Sequence, residues 1–128
     1  MEKRSGKIME NTLKQELGQF TGTEHYYNFM NLKLTDGVKY LAEKGKCWWL
    51  LDVILSYQGK LKNVPFQLWE VVRKTPEIEG FDFKATVTCR EDAGLKPLVT
   101  QLIPYTDFPL DEVKLYLIDG VILLPSEY

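Results

Sequence analysis

Asp119-Gly120 lies between two apolar runs, Val113 to Ile118 and Val121 to Leu124, and this arrangement constrains the fold more than any other stretch. An Asp-Gly pair tolerates the positive φ angles of a two-residue hairpin turn, so the two runs are expected to pair as antiparallel strands. Upstream, Phe83-Lys84-Ala85-Thr86-Val87-Thr88-Cys89-Arg90 alternates apolar and polar residues with a period of two. That period predicts a half-buried strand over 83–91, with Phe83, Ala85, Val87 and Cys89 inward and Lys84, Thr86, Thr88 and Arg90 outward. The turn Glu91-Asp92-Ala93-Gly94 returns the chain to a partner strand over 97–103, and Phe66 to Arg73 reads as another strand.

The first half follows a different period. Asn11 is a good N-cap, and Leu13, Leu17 and Phe20 follow at helical spacing, predicting a helix over 11–20 that Gly18 weakens and Gly22 ends. Thr35-Asp36 supplies a cap and an acidic first turn for a helix over 36–44, which Gly45 closes. Residues 47–58 predict a third helix, apolar on nearly every side and therefore packed on several sides. Residues 24–34 are aromatic and read as extended or looped. Helices followed by strands predict an α+β fold, with the helices packed on a mostly antiparallel sheet of four to five strands, at 66–73, 83–91, 97–103, 113–118 and 121–124.

At 128 residues the chain suits one domain and can bury a core without a metal or disulfide. Residues 1–8, with Lys3, Arg4 and Lys7 against Glu2, read as a flexible basic extension, and 9–128 as a single domain. A net charge of −2 among 16 basic and 18 acidic residues provides no general field for nucleic acid or an anionic membrane. No signal peptide or membrane span is legible, and the two cysteines, Cys47 and Cys89, are expected to be free in a reducing cytoplasm.

Few residues suggest chemistry. His25 is the one histidine; it follows Glu24, so an acid–base pair can be imagined, yet one histidine excludes two-histidine metal motifs. Asp52 falls within Cys47-Trp48-Trp49-Leu50-Leu51-Asp52-Val53-Ile54-Leu55, on the helical face of Trp48 and Leu55. A carboxylate buried there needs a partner, and is expected to be a structural anchor or else a functional acid with a shifted pKa. Glu24, His25 and Asp52 are therefore the candidate polar site. Cys47 and Cys89 lack metal-ligand or redox spacing and are expected to pack, although a thiol near a helix start, as at Cys47, can acidify. No glycine-rich phosphate loop, metal site, cofactor site or catalytic set is legible. Aromatics outnumber what a small core needs, making Tyr26, Tyr27, Phe29, Tyr105 and Phe108 the interface candidates.

Several segments are similar to an uncharacterised bacterial and phage domain family. They are Phe20-Thr21-Gly22-Thr23-Glu24-His25-Tyr26-Tyr27, Leu34-Thr35-Asp36-Gly37-Val38-Lys39-Tyr40-Leu41-Ala42-Glu43, Trp49-Leu50-Leu51-Asp52, Phe66-Gln67-Leu68-Trp69, Tyr105-Thr106-Asp107-Phe108-Pro109-Leu110 and Leu124-Pro125-Ser126-Glu127-Tyr128. The resemblance covers about 11–128. It implies one intracellular domain and carries no functional residue.

The leading expectation is a non-catalytic protein-interaction module of the cytosol. One alternative is a small enzyme or ligand binder with a pocket near His25 and Asp52. Another is a weak nucleic-acid binder using the outward face from Lys84 to Arg90, with Trp69 or Tyr116 supplying stacking, an idea that fails if a helix covers that face. No membrane role is expected. A homodimer through an edge strand, at 66–73 or 121–124, is a further expectation.

Overall fold

A computed structural model describes residues 12–73, 85–104, 108 and 110–128. The described part of the first helix, α1, spans residues 12–17. Its buried Leu13 and Leu17 face the core, and the chain turns off at Gly18, short of the expected residue 20. Residues 1–8, the expected extension, lie outside the described residues.

Residues 24–34, read from sequence as extended or looped, form a hairpin of β1 (Tyr26–Phe29) and β2 (Leu32–Thr35). Met30 adopts a φ of 55°, a left-handed conformation without the usual glycine or asparagine at that position. Helix α2 (Asp36–Lys44) follows directly, capped by Thr35, whose Oγ1 accepts the Val38 N–H. Helix α3 (Trp48–Ser56) is stopped at Tyr57. The remaining strands are β3 (Phe66–Arg73), β4 (Ala85–Arg90), β5 (Val99–Ile103), β6 (Glu112–Ile118) and β7 (Val121–Leu123). Asp119 and Gly120, at φ 51° and 78°, make the expected two-residue turn.

The described residues form a sheet of seven strands rather than four or five, in the order β1-β2-β7-β6-β3-β4-β5. All neighbours are antiparallel except β2 and β7, which are parallel and so join the N-terminal hairpin to the strand-rich half. This places β3 and β7 inside the sheet. The edges expected at 66–73 and 121–124 are paired on both sides, and among the described residues the edges are β1 and β5.

One face is the core. Leu34, Ile122, Leu117, Leu115, Trp69, Val71, Val87 and Cys89 meet Leu13, Val38, Leu41, Leu50, Leu51 and Ile54 from the helices. Trp69 therefore points inward, and only Tyr116 of the two proposed stacking aromatics reaches the other face. The core's main polar insertion is Gln67, 2% exposed. It exchanges two hydrogen bonds with Gln58, at 2.9 and 3.0 Å, and its Oε1 accepts the Trp69 indole N–H at 2.9 Å. Full satisfaction is what makes that burial tolerable.

Candidate functional site

Three segments that carry the resemblance converge at the start of α2. The Glu127 carboxylate accepts hydrogen bonds from the Thr35 hydroxyl (2.6 Å), the Gly37 N–H (3.0 Å) and the Leu124 N–H (3.0 Å). An anion at a helix N-terminus satisfies an orphan donor and complements the dipole. The C-terminal turn, Pro125–Glu127, is thereby fastened to the start of a helix, Gly37 lying 90 positions before Glu127. Gly37 lets these side chains approach: a Cβ there would lie 2.6 Å from Leu124 Cδ1 and 2.7 Å from Glu127 Oε1, and both side-chain ends would have to move aside.

A second set ties 23–25 to the same helix. Asp36 accepts the backbone N–H groups of Glu24 (2.9 Å) and His25 (3.3 Å), and its own N–H donates to Thr23 Oγ1 (2.9 Å). The Glu24 N–H is the main force holding the Asp36 carboxyl below its ordinary value, with the Tyr27 phenol and Thr23 hydroxyl adding to it. The Tyr27 phenol is correspondingly pushed up, chiefly by its hydrogen bond to Asp36. Lys39 lies over the Tyr27 ring at 4.2 Å. Glu24 and His25 thus serve through their backbone. The His25 side chain is 69% exposed, with Nδ1 3.8 Å from Asp36.

Asp52 is elsewhere in role and setting. It does share a helical face with Trp48, but that face, with Ser56, is the exposed one; Leu50, Leu51 and Ile54 supply the buried face. The expected buried carboxylate is therefore solvent-exposed, and an all-round apolar helix concealed which side was outermost. No described interaction joins Asp52 to Glu24 or His25.

The interface candidates also divide. Tyr26 is exposed, Tyr27 is half-buried beneath Lys39, and Phe29 stacks on Trp48 with centroids 6.0 Å apart. Phe108 is 1% exposed and edge-on to Trp49, so it is a core residue and offers no contact surface. Tyr105 lies outside the described residues, as do Phe83 and Lys84. Both cysteines are buried and free. Desolvation pushes the Cys47 thiol up to about 12 and Cys89 up to about 11, the reverse of the acidification a helix start could produce at Cys47. No metal-ligating cluster occurs among the described residues.

The sheet's outer face, whose β4 row the sequence did mark as outward, carries a cleft that sequence reasoning missed. Directly opposed residues share a face, so the register arranges three rows across the strands: Leu123–Tyr116–Leu68–Arg90, Lys114–Glu70–Thr88–Thr100 and Glu112–Val72–Thr86–Leu102. Among the described residues no helix lies over these rows. The C-terminal turn covers one side, where Tyr128 meets Tyr116 edge-on at 5.6 Å. On the other side the loop after β4 folds over the face, held by Arg90 Nε donating to the Leu95 carbonyl at 2.8 Å. Beneath it is a cleft of about 450 Å³, floored by Leu68, Glu70, Val72, Thr86 and Thr88 and walled by Ala93 to Leu95. The Glu70–Arg90 ion pair, 3.2 Å, crosses its floor. Val72, Leu95 and Leu102 are exposed around it. The sequence signal was the second parity of β3 and β6, Leu68-Glu70-Val72 and Lys114-Tyr116, hidden because both parities of β3 are apolar-rich.

A family of unknown function (DUF6876) matches residues 11–128. The chain belongs to this family. No curated protein and no solved structure matches it. In this DUF6876 chain, the Thr23–His25, Thr35–Gly37 and Leu124–Tyr128 segments assemble a latch that closes the sheet onto α2. Their polarity is absorbed by backbone capping. No described helix is long and apolar enough to cross a membrane.

Proposed function

We propose that this DUF6876 chain is a non-catalytic, cytosolic protein-binding module whose contact surface is the outer face of β3, β4 and β5 with the cleft under the β4–β5 loop. The supporting observation is the cleft on a face that no described helix covers: Val72, Leu95 and Leu102 are exposed in and beside it, and its floor contains one ion pair. Exposed apolar groups rimming a polar-tagged cleft suit an apolar side chain of a protein partner, with Arg90 or Glu70 taking a neighbouring hydrogen bond. The expected loop aromatics contribute less, because Phe108 is buried and Phe29 is already stacked.

Charge separates this reading from nucleic-acid binding. Lys114 and Arg90 on the three rows are offset by Glu70 and Glu112, and Arg90 is engaged by Glu70. A phosphate backbone would meet no net positive field there. The enzyme alternative lacks geometry, since Glu24 and His25 point their backbones at Asp36 and Asp52 stands exposed on α3.

A photo-crosslinking amino acid at Thr86, in the full chain expressed in its native cytosol, tests the proposal. The expected result is one discrete adduct with another protein, lost when Val72→Arg is added, and absent when the probe is placed at Asp52. Absence of any adduct from Thr86, or adducts equal at Asp52, would overturn it. An adduct removed by nuclease would replace it with the nucleic-acid reading.

A further inference from the structure

We propose that the chain forms a symmetric dimer by pairing β5 with β5 of a second copy, extending the sheet across a two-fold axis at Gln101. It shares Leu102 with the outer-face reading but rests on the edge of β5 and not on the cleft. Among the described residues β5 is an edge, hydrogen-bonded to β4 alone. Exposed edges are usually blunted by charge, proline, a bulge or brevity. Val99-Thr100-Gln101-Leu102-Ile103 has no charge and no proline, and its five residues pair with β4 in unbroken register.

The strand is also self-complementary. Its exposure pattern, buried-exposed-half-buried-exposed-buried, reads the same in both directions about Gln101. An antiparallel second copy centred there opposes Val99 to Ile103, Thr100 to Leu102, and Gln101 to its own equivalent. Every opposed pair then shares a face, as antiparallel register demands. Val99 and Ile103 continue the core face, and Leu102, 52% exposed, is covered beside a threonine. Gln101 sits on the axis in a fixed orientation, because its Oε1 accepts the Tyr57 hydroxyl at 2.8 Å. Among the described residues its amide nitrogen has no acceptor, and across the axis the facing amide supplies one. The other edge is a poorer match: β1 has four residues alternating exposed and half-buried, so any two-fold pairing that keeps faces matched leaves one of the four unpaired.

A five-residue ladder is a small interface, so association at about 10 μM to 1 mM is expected rather than a permanent dimer. Sedimentation of the full chain should show the mass rise with concentration from 14.9 kDa toward twice that value. Under oxidation Gln101→Cys should give a covalent dimer, since opposed Cα atoms at about 4.5–5.5 Å fall in the disulfide range. Thr100→Cys and Leu102→Cys should each give no covalent dimer alone yet link when mixed. These exposed positions keep the test valid if Gln101→Cys fails to fold. Wild type should not link, because Cys47 and Cys89 are buried. A mass that stays at 14.9 kDa up to about 1 mM, or linking by Asn28→Cys in place of the β5 variants, would overturn the proposal. Either failure leaves the Thr86 adduct experiment unaffected.

Discussion

Replacing Glu127 with alanine tests whether the C-terminal turn is part of the folded unit or decoration upon it. The carboxylate accepts three hydrogen bonds, one from a hydroxyl and two from backbone N–H groups. Hydrogen bonds to a charged group contribute about 1.5–3 kcal/mol each when water is excluded. Glu127 is half-buried, so water recovers part of the loss. The helix-terminal charge adds about 0.3–1 kcal/mol. A loss of about 2–3 kcal/mol is therefore expected, well short of three independent bonds. For a domain of this size that corresponds to a fall in Tm of about 6–12 °C. Urea unfolding followed by circular dichroism gives the free energy, and Glu127→Gln, which keeps one acceptor oxygen but loses the second and the charge, should fall between. A Glu127→Ala variant within about 0.5 kcal/mol of wild type would refute the reasoning, because surface changes with no structural role lie in that range.

Acid unfolding should expose the second half of the latch. Because the Asp36 carboxyl is held below its ordinary value of 3.8, its contribution is fully present above that pH and is lost as pH falls through the lowered folded value. Asp36→Asn should accordingly be less stable than wild type near neutrality, and the two stability–pH curves should converge in strong acid; parallel curves would count against the assignment. The cysteines make a separate test. With thiols pushed up to about 12 and 11, Cys47 and Cys89 should resist a thiol-titrating reagent at pH 8 in the folded chain and both react in denaturant. Rapid reaction of either native thiol would contradict their burial.

Local periodicity made part of this fold legible. β4 alternates cleanly, and Asp119-Gly120 specifies its turn by backbone chemistry, so both could be read residue by residue. β1 and β2 could not. Their turn uses Met30 at positive φ, and Tyr26 to Phe29 are aromatic on both faces apart from Asn28, which removes the contrast that reveals a strand. Asp52 shows the same limit in a helix: where Trp48, Trp49, Leu51 and Val53 surround the axis, no wheel identifies the solvent side. The latch was beyond sequence for a different reason. Glu127 and Thr35 meet across the parallel β2–β7 pairing, and nothing local to either residue announces the other.

That distinction also directs where function should be sought. Polar groups in a small domain either satisfy the fold or are left for something else. Glu127, Asp36, Thr35 and Gln67 each satisfy backbone or buried donors and acceptors, and removing any of them would orphan a partner. Glu70 and Arg90 differ. Their ion pair lies on an accessible sheet face, where such a pair contributes only about 0–1 kcal/mol, and it closes no helix and fills no core. Arg90 also holds the β4–β5 loop through the Leu95 carbonyl, yet a charged pair at the floor of a cleft bordered by exposed aliphatics is where a partner's own polar groups would find an answer.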